Sequence, residues 1–303
     1  MSLVTGESAV SLKALGIVLG LIALLPILNL ILGIHPPTFK TLDDPGHYGL
    51  PYEKVSFPTS DGLTLRGWFI PAAADGSTGK KATILVGHGY PFDKANILRH
   101  VRFLHSKFHL LFFDFRYFGE SEGSYTTAGL LETRDVDAAA AYLKQRVDVD
   151  PSRIGAMGFS MSAAAFILAR HPDIKAIVAD SPYASLEDLV GLQFFFLPGP
   201  TKWPLVALTK LYARLLLGVD IGTAAPAQVV RELAVPLLLI HGEKDSQIPA
   251  EHGRQIYAHA DSTRTDLWMV PGADHGQAHA IEGERYEIRV SMFLERHLSG
   301  PAT

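Results

Sequence analysis

The residues of this chain that could perform nucleophilic catalysis each follow a short apolar run. Ser160 is the central residue of the string GFSMS, which lies between a predicted strand and a small-residue run that predicts a helix. A serine on such a strand–turn–helix connection presents its hydroxyl at the end of a sheet, beside a helix N-terminus. Asp245 and His275 follow two later apolar runs. We therefore expect the three side chains to meet at one edge of a parallel sheet.

These residue types supply the parts that acyl transfer needs. A neutral serine hydroxyl is a weak nucleophile and needs a base within hydrogen-bond reach. Histidine suits that role because its pKa of ~6.5 lies near working pH. A carboxylate behind the imidazole fixes its tautomer and stabilises its protonated form. We assign Ser160 as the nucleophile, His275 as the base and Asp245 as the acid that orients the base.

Other residues compete with two of these assignments. His279 lies close to the chosen base in sequence, and His88 follows a predicted strand, where a structural role at a glycine turn is expected. Asp180 ends another predicted strand, and Asp274 directly precedes the chosen base. The sequence leaves these alternatives open because spacing along the chain does not give the distances between side chains.

From about Tyr52 to the C-terminus, the chain resembles an α/β-hydrolase. In that family the nucleophile precedes the acid and the acid precedes the histidine, as here. The string FDFRYFGES at 113–121 resembles the D-x-R-G-x-G-x-S loop of one branch, with Tyr117 in place of a glycine. That branch holds bacterial esterases, lysophospholipase-like proteins and serine aminopeptidase-like domains. Ser162 stands where the second glycine of G-x-S-x-G belongs. The general layout is similar to the membrane-tethered BEM46-like group.

The resemblance implies further roles. In this fold the loop after the strand near 83–87 and the residue after the nucleophile supply the backbone N–H groups of the oxyanion hole. Those residues are Tyr90 and Met161. An aspartate nucleophile would have indicated haloalkane or epoxide chemistry, whereas the serine found here indicates acyl transfer to water.

Composition limits the other classes of function. The formal net charge is −4, so no electrostatic footprint for nucleic acid is present. The chain has no cysteine, and its 13 histidines show no metal-ligand spacing. We therefore expect no nucleic-acid partner, no metal and no cofactor. The sequence does not indicate an oligomeric state.

Apolar runs alternate with longer amphipathic segments after an opening β-hairpin. This alternation predicts an α/β fold with a mostly parallel, doubly wound sheet. The 303 residues fit one large domain with additional segments. We assign a membrane anchor to 1–35, a linker to 36–51 and the hydrolase domain to 52–303, with a helical cap insert at about 189–235.

The segment 14–34 contains no charged residue, which predicts a single-pass transmembrane helix. A cleaved signal peptide and a buried helix are the alternatives, but the apolar run is longer than a signal peptide needs and Pro36-Pro37 follows it. Lys13 is the only Lys or Arg before the span, and Lys40 is the nearest one after it. With so few positive charges, the positive-inside rule does not determine the orientation. The orientation stays open, with the extracytoplasmic side favoured.

The cap insert is unusually apolar. We expect its side chains either to line an acyl pocket or to touch the bilayer; packing as ordinary core is the alternative. The residues assigned to the pocket are Phe194, Phe195, Phe196, Trp203 and Leu208.

The predicted function is hydrolysis of small-molecule or lipid-like carboxylic esters with an apolar acyl part. A peptidase, an amidase or a thioesterase could use the same triad, and a non-catalytic membrane scaffold could keep the fold. An enzyme that trims free N-termini would need acidic residues to hold the ammonium group. The segment 191–218 has none, which favours esters.

Overall fold

The computed structural model describes residues 4–74 and 79–299. Within its first helix, the side chains of 4–13, 15, 18, 19 and 21 lie outside the described set. Residues 1–3, the start of the predicted anchor, also lie outside it.

An eight-stranded sheet forms the centre of the fold, in the order β1-β2-β4-β3-β5-β6-β7-β8. The first two strands form the predicted hairpin, and β2 is antiparallel to both of its neighbours. All remaining pairs are parallel. The strands are β1 (Glu53–Pro58), β2 (Thr64–Ile70), β3 (Lys81–Gly87), β4 (His109–Phe113), β5 (Val149–Phe159), β6 (Ile174–Asp180), β7 (Leu237–Gly242) and β8 (Thr265–Val270).

Helices cover both faces of the sheet. Their bounds are α1 (Val4–Ile34), α2 (Lys94–Val101), α3 (Glu132–Gln145), α4 (Met161–Ala169), α5 (Leu186–Gln193), α6 (Trp203–Leu217), α7 (Pro226–Val229), α8 (Glu251–His259), α9 (Ala278–Glu282) and α10 (Glu284–Leu298). Side chains of α3, α4 and α8 share one buried cluster with the sheet, and side chains of α2 and α10 share another. Burial on both faces explains why the central strands are continuous apolar runs rather than alternating ones.

The predicted doubly wound sheet is therefore present. Because its parallel strands run in one direction, β3, β5, β6, β7 and β8 end at the same edge. Loops that follow these strands hold the candidate catalytic residues, as expected for open α/β sheets.

The helices α5 and α6, with short helical turns around them, lie between β6 and β7, where the cap insert was predicted. Ser185 caps the first of them, since its side chain accepts a hydrogen bond from the Asp188 N–H at 3.3 Å. The buried face of α6 consists of Leu205, Val206, Thr209 and Ala213.

The apolar N-terminal segment is a helix, α1, but the structure does not support the predicted membrane-spanning anchor. Counting only the side chains that the structure describes, no helix is long and apolar enough to cross a membrane. The C-terminal end of α1 instead packs on protein. Leu30 is 7% exposed and belongs to a buried cluster with cap residues such as Leu186, Val190 and Leu205.

Candidate active site

Ser160 lies on a strained turn between β5 and α4. Its φ of 56° and ψ of −113° fall outside the regions that L-residues usually adopt. The turn is tight enough to require a glycine before it, since a Cβ on Gly158 would lie 2.6 Å from the Ala163 nitrogen and 2.7 Å from the Phe166 ring. The predicted strand–turn–helix geometry is thus present, with the serine at the end of the sheet.

Ser162, the departure from the family motif, is accommodated by a glycine on the neighbouring strand. Its hydroxyl accepts a hydrogen bond from the Phe159 N–H at 2.8 Å and donates one to the Phe159 carbonyl at 3.0 Å. A Cβ on Gly87 would lie 2.5 Å from the Cβ of Ser162. The side chain missing from Gly87 therefore makes room for the one added at Ser162, and the added hydroxyl bonds the backbone of the turn.

This pairing predicts a rescue experiment. Gly87→Ala should lower the free energy of unfolding by about 1–3 kcal/mol, because the new methyl group overlaps Ser162. The double change Gly87→Ala/Ser162→Gly should be less destabilised than the sum of the single changes, by about 1 kcal/mol, because the overlapping atom is gone. Recovery should be incomplete, since Phe115 also lies 3.1 Å from the added Cβ. Urea unfolding of the four proteins measures the coupling, and additive single changes would contradict it.

His275 bridges the other two predicted residues. Its Nε2 lies 3.0 Å from the Ser160 Oγ, and its Nδ1 lies 2.7 Å from the Asp245 Oδ2. With the proton on Nδ1, the ring donates to the carboxylate and leaves Nε2 free to accept from the hydroxyl. This tautomer is the one in which the imidazole can act as a general base.

The carboxylate of Asp245 is held in place by its own loop. Its Oδ1 accepts the backbone N–H groups of Gln247 at 3.0 Å and Ile248 at 2.7 Å. The buried His241 ring contacts its other oxygen, with Nε2 at 3.5 Å, and the same Nε2 lies 2.9 Å from the Ile248 carbonyl. These contacts direct Oδ2 at the imidazole.

The competing acids have other partners. Asp180 accepts hydrogen bonds from the Tyr286 hydroxyl at 2.8 Å and from the Ser181 hydroxyl at 2.9 Å. Burial raises the pKa of its carboxyl. Asp274 accepts the Ser246 N–H at 2.7 Å, and this bond contributes most to a lowered pKa of its carboxyl. Neither side chain is hydrogen-bonded to the His275 ring in the described part of the chain.

The competing histidines also lie elsewhere. His279 packs on the ring of Phe103 and has its Nε2 3.0 Å from Glu287. His88 is fully buried at the glycine turn, where its Nε2 accepts the Phe115 N–H at 3.0 Å and its Nδ1 lies 3.0 Å from the Gly89 carbonyl. Burial lowers the pKa of the His88 ring. Its position agrees with the structural role expected from the sequence.

The two predicted oxyanion residues flank the serine. Met161 is the first residue of α4, so its N–H is among the first-turn amides that lack an intrahelical acceptor. Tyr90 follows the glycine turn after β3, and both residues line the cavity that contains Ser160 and His275. Their oxyanion role stays a prediction.

A cavity of about 580 Å³ opens beside Ser160. This volume is within the range of small-molecule sites. No Asp, Glu, Lys or Arg is among the described residues that line it. The residues that line the cavity come from the N-terminal helix, the loops around Ser160 and the cap. They include Leu30, Tyr183, Leu186, Leu189, Val190, Leu217, Ile221 and Ile248. Across residues 4–74 and 79–299, no group of three or more His, Asp or Glu side chains could hold a metal ion.

The predicted pocket residues are only partly on this cavity. Phe195 lines it, although most of its side chain is exposed. The structure does not place the other four on the cavity wall. Phe194 is buried in the cap cluster, whereas Phe196 and Trp203 are 55% and 42% exposed. Leu208 is half-buried on α6, beside the inward-facing positions of that helix.

The sequence did not identify the residues of α1 and α5 that line the cavity. Leu30, Gly33 and Ile34 reach it from the N-terminal helix, and Leu186 and Val190 reach it from α5. The spacing of the α5 pair, four residues apart, was the available signal for a shared helix face. In α1 almost every position after Lys13 is apolar, so no periodicity distinguishes one face from another.

The family loop at 113–121 is built around two buried ion pairs. Asp114 pairs with Lys94 at 2.6 Å, and Arg116 pairs with Asp135 at 2.7 Å. Tyr117, which replaces a glycine of the motif, has a φ of 74°. That is the left-handed region that glycine adopts without strain and other residues rarely adopt. The family glycine is thus explained by backbone geometry.

Comparisons with known proteins agree with this architecture. Residues 121–300 match the model of the prolyl oligopeptidase family. The uncharacterized protein YfhR of Escherichia coli K12 is 30% identical over 251 residues, which cover 80% of each chain. The α/β-hydrolase domain-containing protein WAV2 of Arabidopsis thaliana is 27% identical over 260 residues, which cover 84% of this chain and 82% of WAV2.

A solved structure shows the same fold with comparable similarity. The Pyrococcus furiosus esterase Pf2001 has a TM-score of 0.70 and 27% sequence identity, covering 87% of this chain and 100% of its own. The α/β-hydrolase resemblance is therefore confirmed, whereas the narrower likeness to the BEM46-like group stays a prediction. With its sheet order, its serine turn and a family match over more than half of its length, the chain belongs to the prolyl oligopeptidase family and has the α/β-hydrolase fold.

Proposed function

We propose that this protein is a serine hydrolase that cleaves carboxylic esters with an apolar acyl part through an acyl-enzyme intermediate. One observation carries the proposal: a hydrogen-bonded Ser160–His275–Asp245 chain faces a cavity whose described lining has no charged residue. The first feature supplies an activated hydroxyl. The second favours an apolar group beside it.

In the first half-reaction, the Ser160 Oγ attacks the ester carbonyl while the His275 Nε2 takes its proton. Asp245 stabilises the imidazolium that forms. The backbone N–H groups of Tyr90 and Met161 would donate to the oxyanion, a contribution for which one donor typically supplies ~10²–10³ in rate. The imidazolium then gives its proton to the leaving alcohol oxygen, and the acyl group stays on Ser160.

In the second half-reaction, a water molecule takes the place of the alcohol. His275 removes a proton from that water as it attacks the acyl carbonyl. The tetrahedral intermediate collapses, the Ser160 oxygen leaves and regains a proton from the imidazolium, and the carboxylic acid departs. The same residues act in both halves because each is the reverse of the other in proton movement.

Cleavage of peptides or other amides is the second candidate, favoured by the name of the matching family. A thioester would be attacked by the same chain of residues. Against an aminopeptidase, the cavity lining offers no carboxylate to pair with a substrate ammonium group within the described residues. The esterase identity of Pf2001 supports esters.

A panel of substrates distinguishes these candidates. We expect the purified protein to hydrolyse p-nitrophenyl esters, with kcat/KM rising from acetate to medium chains because each buried CH₂ contributes ~0.8 kcal/mol. Aminoacyl p-nitroanilides and acyl thioesters of matched chain length serve as the comparison. Faster turnover of an anilide or a thioester than of the matched ester would contradict the ester proposal and favour the corresponding alternative.

A further inference from the structure

We propose that the C-terminal end of α1 forms one wall of the acyl-binding site and limits the length of acyl chain that the enzyme accepts. This inference rests on the proposed ester hydrolysis. It concerns Leu30, Gly33 and Ile34, which line the same cavity as Ser160 and His275. The ligand that this wall would contact is the distal part of an unbranched acyl chain.

The backbone of this helix end is bonded to loops that build the site. The Tyr90 hydroxyl donates to the Gly33 carbonyl at 3.2 Å, and the Thr126 N–H donates to the Ile34 carbonyl at 3.0 Å. Tyr90 is the residue that follows the glycine turn beside Ser160. The carbonyls involved belong to the last turn of α1, where no intrahelical donors remain, so the loops satisfy groups that would otherwise need water.

A third bond involves the residue that departs from the family motif. The Tyr117 hydroxyl donates to the Pro36 carbonyl at 2.8 Å, two residues beyond the helix. Tyr117 has the strained backbone conformation that a glycine would adopt freely. A side chain at this position therefore serves a contact with the segment that follows α1, which a glycine could not make.

The cap also contacts the C-terminal end of α1. Asn29 donates to the side chain of Gln193, the last residue of α5, and the Tyr212 hydroxyl of α6 donates to the Ala23 carbonyl at 3.1 Å. Leu30 is buried against the cap, whereas Leu28 and Leu32 on the opposite side are 47% and 62% exposed. One side of α1 thus closes the cavity and the other side faces away from it.

Gly33 determines how much room remains. A Cβ built at this position meets no atom within 4 Å, although the residue lines the cavity. An added side chain therefore starts in open space beside the cavity, and we expect a longer one to extend into it. Because each buried CH₂ group changes kcat/KM by about fourfold, blocking room for three or four carbons should lower the rate on long esters by on the order of 100-fold.

The test replaces Gly33 with leucine in the full chain. Gly33→Leu should keep at least half of the wild-type kcat/KM on p-nitrophenyl acetate and lose on the order of 100-fold on the decanoate. Gly33→Ala should give a smaller loss on the decanoate. Gly20→Leu is the matched control, since Gly20 is an exposed position of the same helix with nothing within 4 Å of its built Cβ, and it should leave both rates unchanged.

A second readout does not depend on ester turnover. Methyl and decyl fluorophosphonates should label wild-type protein, and Gly33→Leu should slow labelling by the decyl reagent alone. An unchanged chain-length profile in Gly33→Leu would contradict the proposal that α1 limits acyl chain length. An equal loss on short and long substrates at an unchanged melting temperature would also contradict it. If wild-type protein cleaves no ester but the decyl reagent still discriminates between the variants, the ester proposal fails. The proposal that α1 forms a wall of the site is then still supported. Absence of labelling by both reagents would overturn both.

Discussion

Replacing Ser160 with alanine is expected to lower kcat on p-nitrophenyl esters by on the order of 10⁵–10⁶, to the level that binding and oxyanion contacts alone sustain. The loss is large because the acyl group is carried by the Ser160 hydroxyl, which lies 3.0 Å from the base His275. The methyl group of alanine fits the turn, and the hydrogen bonds that hold Asp245 do not involve the serine. Steady-state rates and the melting temperature, measured together, separate chemistry from folding.

Ser121→Ala is the control for this change. Its hydroxyl accepts the Arg66 N–H at 2.8 Å and donates to the Asp114 carbonyl, and it does not line the cavity. We expect a modest loss of stability and less than about a tenfold change in kcat, since only these two hydrogen bonds to backbone groups are lost. Retention of wild-type activity by Ser160→Ala would contradict the assignment of the nucleophile.

Asp245→Asn is expected to lower kcat by on the order of 10⁴ while the fold is retained. An amide can present its NH₂ group to the imidazole, which favours the tautomer with the proton on Nε2, and that nitrogen could then no longer accept from Ser160. The backbone N–H groups of Gln247 and Ile248 can still be accepted by the amide oxygen. The change therefore tests the role of the His275 tautomer while the loop that holds residue 245 keeps its hydrogen bonds.

Asp180→Asn is the matched control, because this acid also ends a strand beside the site. Burial raises the pKa of its carboxyl, and an amide keeps the shape of that group. Its oxygen can still accept from the Tyr286 hydroxyl. We expect kcat to change by less than about tenfold. A severe loss in Asp180→Asn together with a mild one in Asp245→Asn would show that the acid had been assigned to the wrong strand.

The sheet and the position of the serine were predictable because they depend on local signals. Apolar runs of strand length, separated by amphipathic segments, can form only a few topologies. Gly158 and the small residues after Ser160 marked a turn too tight for larger side chains. No such local signal distinguished Asp245 from Asp180. Both follow strands at one sheet edge, and only the distances to His275 distinguish them.

The cavity wall was less predictable than the sheet. In an amphipathic helix the sequence shows which face is buried. Because α1 is apolar at almost every position after Lys13, its sequence does not distinguish a buried face. The same composition suits lipid and protein surroundings, so the sequence favoured a spanning anchor where the structure has Leu30 packed on the cap. In the cap, the pocket was predicted mainly from large aromatic residues, whereas Leu186 and Val190 on the cavity side are ordinary aliphatic residues.

The two departures from the family motifs are explained by contacts that lie far away in sequence. Ser162 fits because Gly87, on another strand, has no side chain. Tyr117 occupies a glycine-like conformation while its hydroxyl reaches Pro36. Each substitution is costly when only its own segment is considered. Tertiary contacts offset local preference at both positions, and such contacts are not visible in a single sequence.

Rapid mixing of the enzyme with p-nitrophenyl octanoate, followed by intact-mass and peptide mass spectrometry, tests the central claim most directly. We expect a burst of one p-nitrophenol per enzyme when deacylation is the slower step. Acid quenching during the burst should trap an octanoyl group on the peptide that contains Ser160, and Ser160→Ala should show neither burst nor adduct. Turnover of the ester with no acyl-protein adduct, or with the octanoyl group on another residue, would contradict it.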